Sequence, residues 1–279
     1  MIKFVLEPFL IIFVTILVSS FVISFQNINL RSLNKTKMKK TLIILVSLLI
    51  IGCTKKAPEL MGLAQSSLDQ NEEDKAIKNL DLLISEYPDD SLASLAQYKL
   101  VNIYKNWKHD PGMVYNALNK TVDNYPGSVQ AKQAGKELDA FPEWIINKSE
   151  TLRKRKLTNE SISNLLYMVQ QYPNHTLAAK AQYIIGDIYM NDLRDFEKAL
   201  EEYRIVLNNY KGSKEESLAQ FMIGYIYANV LKDFDKARSE YQVFLDRFPK
   251  HELSPSVKFE IDHLGKDIND IPALKHITS

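Results

Sequence analysis

The sequence has few of the residues that cross-link a chain, and it has no strong excess of charge. Cys53 is the one cysteine among 279 residues, so a disulfide framework within the chain is impossible. The chain carries 35 basic and 34 acidic side chains, which gives a net charge of +1 at pH 7. No strong positive field is therefore available to hold nucleic acid, and we exclude that class of partner.

The sequence also lacks catalytic and metal-binding motifs. The five histidines include no pair at a metal-ligand spacing such as His-Glu-x-x-His, and neither a glycine-rich phosphate loop nor a Gly-x-Ser-x-Gly elbow occurs. Carboxylates such as Glu197, Glu201 and Glu202 follow helix surfaces, which is typical of a solvated face. We therefore expect no enzyme activity, no catalytic residue, no metal, no cofactor and no small-molecule substrate.

The segment before Cys53 has the pattern of a secretory signal. Met38-Lys39-Lys40 is a short basic start, and residues 41–51 are uncharged but too few to span a bilayer comfortably. Gly52-Cys53 follows and resembles the lipobox of bacterial lipoproteins. That resemblance implies a signal peptide at 38–52, cleavage just before Cys53, a lipid on its thiol and a lipidated linker at 53–56. The alternative is an ordinary cysteine beside an uncleaved anchor.

Residues 1–37 contain a further apolar stretch. Residues 9–25 are uncharged and form a possible membrane helix. Because a second signal-like segment starts at its own Met38, we favour a mis-assigned start that makes 1–37 an upstream extension; the alternative is a true N-terminal membrane helix. Thr54 stands where lipoproteins retained in the inner membrane usually have Asp. The lipoprotein resemblance therefore implies an outer-membrane anchor, with the protein facing the periplasm.

A repeat of 38 residues is the strongest pattern in the rest of the chain. Residues 181–210 and 219–248 are identical at 15 of 30 aligned positions. An aromatic residue ends each of five units: Tyr87, Tyr125, Tyr172, Tyr210 and Phe248. We place the units at about 57–90, 91–128, 129–175, 176–213 and 214–252, followed by a capping helix at about 253–267 and a polar tail at 268–279. Phe141-Pro142 interrupts the third unit, which holds nine extra residues.

Within a unit, apolar residues recur at helical spacing, which predicts a helix–turn–helix. Asp195 and Asp233 stand at expected N-cap positions, and each end aromatic marks the end of a second helix. Gly186 and Gly224 fall inside first helices, where glycine costs about 1 kcal/mol relative to alanine. We expect close approach of the second helix to compensate this cost. The expected small partners of the two glycines are Ala199 and Ala237.

These positions resemble the signature of the tetratricopeptide repeat. The matching residues are Gly186, Tyr189, Ala199 and Tyr203 in one unit, and Gly224, Tyr227, Ala237 and Tyr241 in the next. The spacing from glycine to alanine is 13, one longer than in the usual motif. The resemblance implies an all-α, right-handed solenoid of about five helix pairs over residues 57–267, with a C-terminal capping helix and an N-terminal signal or anchor before it.

In tetratricopeptide proteins the first helix of each pair lines a groove, so the repeat register predicts a partner-binding site. The groove positions here are Tyr98, Asn102, Lys105, Tyr183, Asp187, Phe221 and Tyr225. Aromatic side chains with a few polar groups suit an extended or helical peptide. The alternative is that they only pack between neighbouring units. A separate basic run, residues 153–156, could contact anionic lipid or an acidic partner, although such a run is more often a solvated helix end.

Two families share these features. Residues 63–106 are similar to the opening repeats of the BamD family of outer-membrane lipoproteins, which implies a scaffold that binds envelope proteins during outer-membrane protein assembly. Residues 176–252 look like the terminal repeats of the YbgF/CpoB group, periplasmic coordinators of Tol–Pal and cell-wall synthesis. That group normally starts with a coiled coil and has no lipid anchor. A remote third alternative is a cryptic cell-wall hydrolase that uses carboxylates of the groove.

Overall fold

The computed structural model describes residues 55–266, which form twelve α-helices and no β-strand. The helices are α1 Ala57–Asp69, α2 Glu73–Glu86, α3 Ala93–Ile103, α4 Pro111–Asn124, α5 Val129–Asp139, α6 Phe141–Lys154, α7 Thr158–Gln171, α8 Ala178–Ile188, α9 Phe196–Asn209, α10 Lys214–Tyr225, α11 Phe234–Arg247 and α12 Ser254–His263. None of these helices is long and apolar enough to cross a membrane. The predictions for 1–37, the signal peptide 38–52, Cys53 and the tail 268–279 lie outside the described residues.

The helices pack in consecutive pairs, which confirms the predicted all-α repeat. The pairs are α1–α2, α3–α4, α6–α7, α8–α9 and α10–α11, and α12 packs against α11. Each pair buries an apolar stripe, and the stripes form four successive core clusters rather than one central core. A single pair cannot cover its own apolar face, so neighbouring units stabilise one another. The right-handed sense of the solenoid stays a prediction.

The five end aromatics terminate the second helices, as the sequence predicted. Each is the C-cap residue of its helix, and each backbone N–H donates to the carbonyl four residues earlier. Their backbone leaves the helical region, with φ between −134° and −123°. The proline that follows four of the five supports this stop, because proline disfavours a helical conformation in the residue before it.

The turn inside each unit contains a residue in the left-handed conformation. Asn71, His109, Lys156, Arg194 and Lys232 have φ between 53° and 63°, and each stands sixteen residues before an end aromatic. None is glycine, so these turns carry a small conformational cost. The second helix then starts at an aspartate in three units. The carboxylates of Asp110, Asp195 and Asp233 accept backbone N–H bonds at 2.9, 3.2 and 3.1 Å, which confirms the N-caps expected at Asp195 and Asp233.

Three first helices end in a π-helical turn, which the sequence analysis did not predict. The turns are Tyr104–Lys108, Tyr189–Leu193 and Ile226–Val230. A π-turn holds one more residue than an α-turn because its hydrogen bonds run from i to i+5. It thereby absorbs the extra residue in the 13-residue spacing between the glycine and alanine positions.

The third unit has a broken first helix. α5 ends at Asp139 and α6 begins at Phe141, with Ala140 outside the helical region at ψ 14°. Pro142 lies in the first turn of α6, where its missing N–H costs nothing. The buried Phe141 ring stacks on Trp144 with centroids 5.2 Å apart and planes 16° apart. The predicted interruption is therefore a helix break, which leaves α5 against α4 and pairs α6 with α7.

The close approach at the two helical glycines is confirmed, but its predicted partners were wrong. A Cβ atom on Gly186 would lie 2.8 Å from Cε1 of Tyr203, and one on Gly224 would lie 2.5 Å from Cδ1 of Tyr241. Ala199, the predicted partner, is fully buried. The three heavy atoms nearest to the Cβ position of Gly186 nevertheless all belong to Tyr203. The tyrosine lies one turn beyond the alanine, and its ring extends across to the first helix.

Candidate protein-binding face

Six of the seven predicted groove residues occupy equivalent positions on three first helices. Tyr98 and Asn102 lie in α3, Tyr183 and Asp187 in α8, and Phe221 and Tyr225 in α10. Residues four apart lie on the same side of an α-helix, so each pair marks the same side of its helix. Asn102 is exposed, and the other five are half-buried. We call this the first-helix face.

Tyr183 of the fourth unit and Phe221 of the fifth rest on buried rings of their own second helices. The Tyr183 ring lies 5.4 Å from that of Tyr203 in α9, and the Phe221 ring lies 6.0 Å from that of Tyr241 in α11. Tyr225 lies 6.3 Å from Phe221 on the same helix. Each of these three residues therefore has one packed side and one accessible side, as a side chain in a protein-binding surface needs.

The hydroxyl of Tyr183 is held in its protonated form. Burial and then the neighbouring carboxylates of Asp187 and Glu215 raise the pKa of Tyr183 to about 12. Within residues 55–266 this hydroxyl has no hydrogen-bond partner, so it can donate to a ligand such as a peptide carbonyl. The hydroxyls of Tyr203 and Tyr241 are fully buried, also without a partner in that range, and burial raises the pKa of each.

Two other predicted groove residues contact the next unit. The Tyr98 hydroxyl and the ammonium group of Lys105, which lies in the π-turn after α3, both donate to the carboxylate of Glu137 in α5. Gln133 adds a third hydrogen bond at 3.0 Å. Burial alone would raise the pKa of Glu137, but the bonds from Lys105, Tyr98 and Gln133 lower it. Glu137 is thus an ionised acceptor that joins the second unit to the third.

Asp187 is likewise part of a contact between units. Its carboxylate accepts from Nη1 of Arg153 at 2.6 Å and from Nδ2 of Asn191 at 2.6 Å. Arg153 also pairs with Asp192, so one guanidinium of α6 holds two carboxylates of the fourth unit. The alternative of packing between units therefore describes Tyr98, Lys105 and Asp187. Tyr183 and Phe221 also contact rings of their own units, Tyr203 and Tyr241.

The structure adds residues to this face that sequence reasoning missed. Phe259 in α12 is 36% exposed, and its ring centroid lies 4.2 Å from that of His263, one turn further along the helix. Phe259 stands eleven residues after the last end aromatic, the same spacing that identifies Tyr98. The repeat register was therefore sufficient to find it. Trp144 in α6 lies beside Lys105, whose ammonium is 5.4 Å from the ring centroid, and only the helix break places it there.

The described residues offer few candidates for catalysis or metal binding. No group of three or more His, Cys, Asp or Glu side chains between 55 and 266 is placed to hold a metal ion. Burial raises the pKa of the carboxyls of Asp81 and Glu202, as a general acid requires. These two lie in α2 and α9, in different units of the repeat, and Glu202 accepts a hydrogen bond from Gln182.

Comparison with known proteins identifies the repeat. Residues 60–90, 180–213 and 218–251 match the family model described as tetratricopeptide repeat. These segments coincide with the pairs α1–α2, α8–α9 and α10–α11, so the chain carries tetratricopeptide repeats, which are typical of protein-interaction scaffolds. None of the curated proteins compared with the chain matches it.

Among solved structures, the chain is similar to a tetratricopeptide repeat protein from Parabacteroides merdae ATCC 43184, determined by crystallography at 2.39 Å resolution. The two share 12% sequence identity over 75% of this chain and 73% of that one, with a TM-score of 0.33. At these values the likeness carries no argument about function.

Proposed function

We propose that this chain is a non-catalytic protein-binding scaffold of the bacterial cell envelope. In this proposal a lipid on Cys53 anchors it to the outer membrane, and its repeats face the periplasm. It takes part in outer-membrane protein assembly as a BamD-like lipoprotein. The observation that carries the binding role is the row of half-buried aromatic residues on the first-helix face.

The aromatic row supports peptide binding for an energetic reason. Tyr183 and Phe221 already rest on the buried rings of Tyr203 and Tyr241, and Tyr225 packs beside Phe221, so their side chains are held in place before a partner arrives. A ligand that covers them gains apolar burial of about 25 cal/mol per Å² and pays little to immobilise them. The partner-free hydroxyl of Tyr183 adds a polar point of recognition.

The envelope assignment is supported by the sequence. Gly52-Cys53 resembles a lipobox, and residues 63–106 are similar to the opening of the BamD family. A single acyl chain binds a membrane only marginally, whereas the lipoprotein resemblance implies three chains, which would anchor the protein stably.

A second candidate is a periplasmic coordinator of the YbgF/CpoB type. Two of the three family-model matches, 180–213 and 218–251, fall in the part of the chain that resembles the terminal repeats of that group. The aromatic side chains of the first-helix face are also densest there. The lipobox argues against this candidate, because that group normally has no lipid anchor.

Crosslinking in native cells separates the two candidates. The full chain carries a C-terminal tag, proteins are crosslinked before lysis, and mass spectrometry identifies the captured partners. The proposal predicts components of the barrel-assembly machine or nascent outer-membrane barrels. Capture of Tol–Pal proteins or peptidoglycan synthases in their place would favour the second candidate.

The remote hydrolase alternative has its own test. Purified full chain is incubated with peptidoglycan in detergent, and the release of soluble fragments is measured. We expect no release. Digestion that is lost when Glu202 is replaced by Gln would overturn the non-catalytic part of the proposal.

A further inference from the structure

Lys148, in the third unit, lies near other cations but has no acidic partner among residues 55–266. Lys148 lies in α6, half-buried, and its ammonium donates to the backbone carbonyl of Lys105 at 2.6 Å. No carboxylate within residues 55–266 pairs with it. Burial lowers the pKa of Lys148, and the positive charges of Arg155 and Lys105 lower it further. The ammonium of Lys148 is therefore less well stabilised here than it would be in water.

Two carboxylates of the third unit are engaged with other cations. Glu137 forms an ion pair with Lys105, and Glu150 forms one with Lys180 at 3.2 Å. Arg153 is held by the two aspartates of the fourth unit. Four cations of α6 and the turn after it remain without an ion pair among the described residues: Lys148, Lys154, Arg155 and Lys156. We call these four the basic cluster.

The helix dipole explains part of the basic cluster. Lys154 and Arg155 lie at the C-terminal end of α6, where the partial negative charge of the helix end favours cations. The dipole effect fades within the last turn, and Lys148 lies about two turns before that end. Because Lys148 and Arg155 are seven residues apart, they lie on the same side of the helix. The helix end therefore stabilises Arg155 but not Lys148, whose ammonium donates to a backbone carbonyl and pairs with no carboxylate among residues 55–266.

We propose that Lys148 and Arg155 bind carboxylate side chains of an acidic segment in the protein partner. This inference rests on the proposed function, since the segment is part of the peptide that occupies the first-helix face. The acidic part lies over α6 beside Trp144, and an apolar or aromatic part lies over Tyr183 and Phe221. The partner is thus an extended segment of mixed acidic and aromatic character.

An acidic protein segment fits this place better than a lipid surface does. The Lys148 ammonium lies between α6 and the turn after α3, where it reaches a backbone carbonyl. A single carboxylate side chain can approach a half-buried ammonium of this kind and accept a charge-assisted hydrogen bond. A bilayer surface is planar and reaches exposed lysines such as Lys154 and Lys156 more readily than the half-buried Lys148.

The test compares two labelled peptides on the full chain in detergent. One alternates Glu with Phe, and the other has Gln in place of each Glu. Fluorescence anisotropy measures the affinity of each. We expect the wild-type chain to bind the Glu peptide about tenfold more tightly than the Gln peptide at low salt. In the double variant Lys148→Gln, Arg155→Gln the preference disappears, and the Gln peptide binds as before.

A control variant removes the same charge elsewhere. Lys78→Gln with Lys250→Gln neutralises two exposed lysines in α2 and in the loop before α12, and should keep the full preference. Circular dichroism checks that every variant is folded. The reversed variant Lys148→Glu, Arg155→Glu should instead prefer a peptide that alternates Lys with Phe.

Each other outcome overturns the inference in a recognisable way. Equal binding of the Glu and Gln peptides would overturn the acidic preference and leave the proposed binding face intact. Binding of neither peptide would overturn both. Binding to vesicles of anionic lipid that requires Lys148 and Arg155, with no peptide preference, would identify a lipid site in place of the one proposed.

Discussion

Gly186 in α8 packs directly against the ring of Tyr203 in α9, because a Cβ atom on Gly186 would lie 2.8 Å from the tyrosine ring. Gly224 and Tyr241 repeat this relationship in the fifth unit. In both units the first helix can approach the tyrosine ring this closely only because glycine has no side chain. The same ring then supports the aromatic residues of the first-helix face, so packing and the candidate site depend on one contact.

Replacement of Gly186 by Ala should destabilise the chain. Alanine would gain about 1 kcal/mol of helix propensity, but the clash with a fully buried ring costs about 1 to 3 kcal/mol. We expect a net loss of about 1 kcal/mol in urea unfolding of the full chain followed by circular dichroism. Gly135→Ala in α5 is the matched control, because no atom lies within 4 Å of its Cβ position. Equal effects of the two substitutions would contradict the close packing.

The sequence predicted the parts of this fold that repeat. The end aromatics, the N-cap aspartates and the break at Phe141 all have local signals in the chain, and the structure confirms them. The only sign of the π-turns in the sequence is the extra residue between the glycine and alanine positions of the repeat. The glycine partner was predicted wrongly because sequence spacing does not show how far a tyrosine ring extends.

The candidate site was less predictable than the fold. Register placed Tyr183, Phe221 and Tyr225 on one face, and it would have placed Phe259 there too. It could not show that Tyr98 contacts Glu137, since the two are 39 residues apart and the contact depends on where α5 ends. Nor could it show which cations of the basic run are paired.

Glu137 should make stability depend on pH. Its folded-state pKa is lowered, so its contribution is fully present above the ordinary value of 4.5 and is lost as the pH falls through the folded-state value. Near neutral pH, Glu137→Gln should cost about 1 to 2 kcal/mol. The cost should shrink steadily below about pH 4 in urea unfolding series. A cost that stays the same across the pH range would contradict this role. The exposed Glu143→Gln serves as the control, with little effect at any pH.

Arg153 should couple the third and fourth units. Replacement by Gln removes its ion pairs with Asp187 and Asp192, which are partly screened from solvent, and should cost about 1 to 2 kcal/mol. Because the contact joins neighbouring repeats, thermal unfolding should also become broader. Lys154→Gln changes the next residue, which has no ion pair within 55–266, and should stay within about 0.5 kcal/mol of wild type. Similar losses for both variants would show that Arg153 has no special role.

Cys53 should be the first residue of the mature chain. Expressed in a bacterium with an outer membrane, the protein should have an intact mass that begins at Cys53 and includes covalent lipid. Cys53→Ser should abolish both processing and incorporation of a labelled fatty acid. A native mass that includes residues 1–37 would contradict translation from Met38 and favour the N-terminal membrane helix.

The most direct test of the central claim compares two triple variants of the tagged chain in the native crosslinking experiment. Tyr183→Leu, Phe221→Leu and Tyr225→Leu remove the three aromatic rings that the fourth and fifth units contribute to the first-helix face but keep apolar side chains over Tyr203 and Tyr241. Leu166→Ala, Ile205→Ala and Val243→Ala truncate three exposed side chains on second helices. If the first-helix face binds the partner, the first variant loses at least about tenfold of the captured barrel-assembly proteins and the second keeps them. Full capture by the first variant, with its helical content unchanged, would contradict the account.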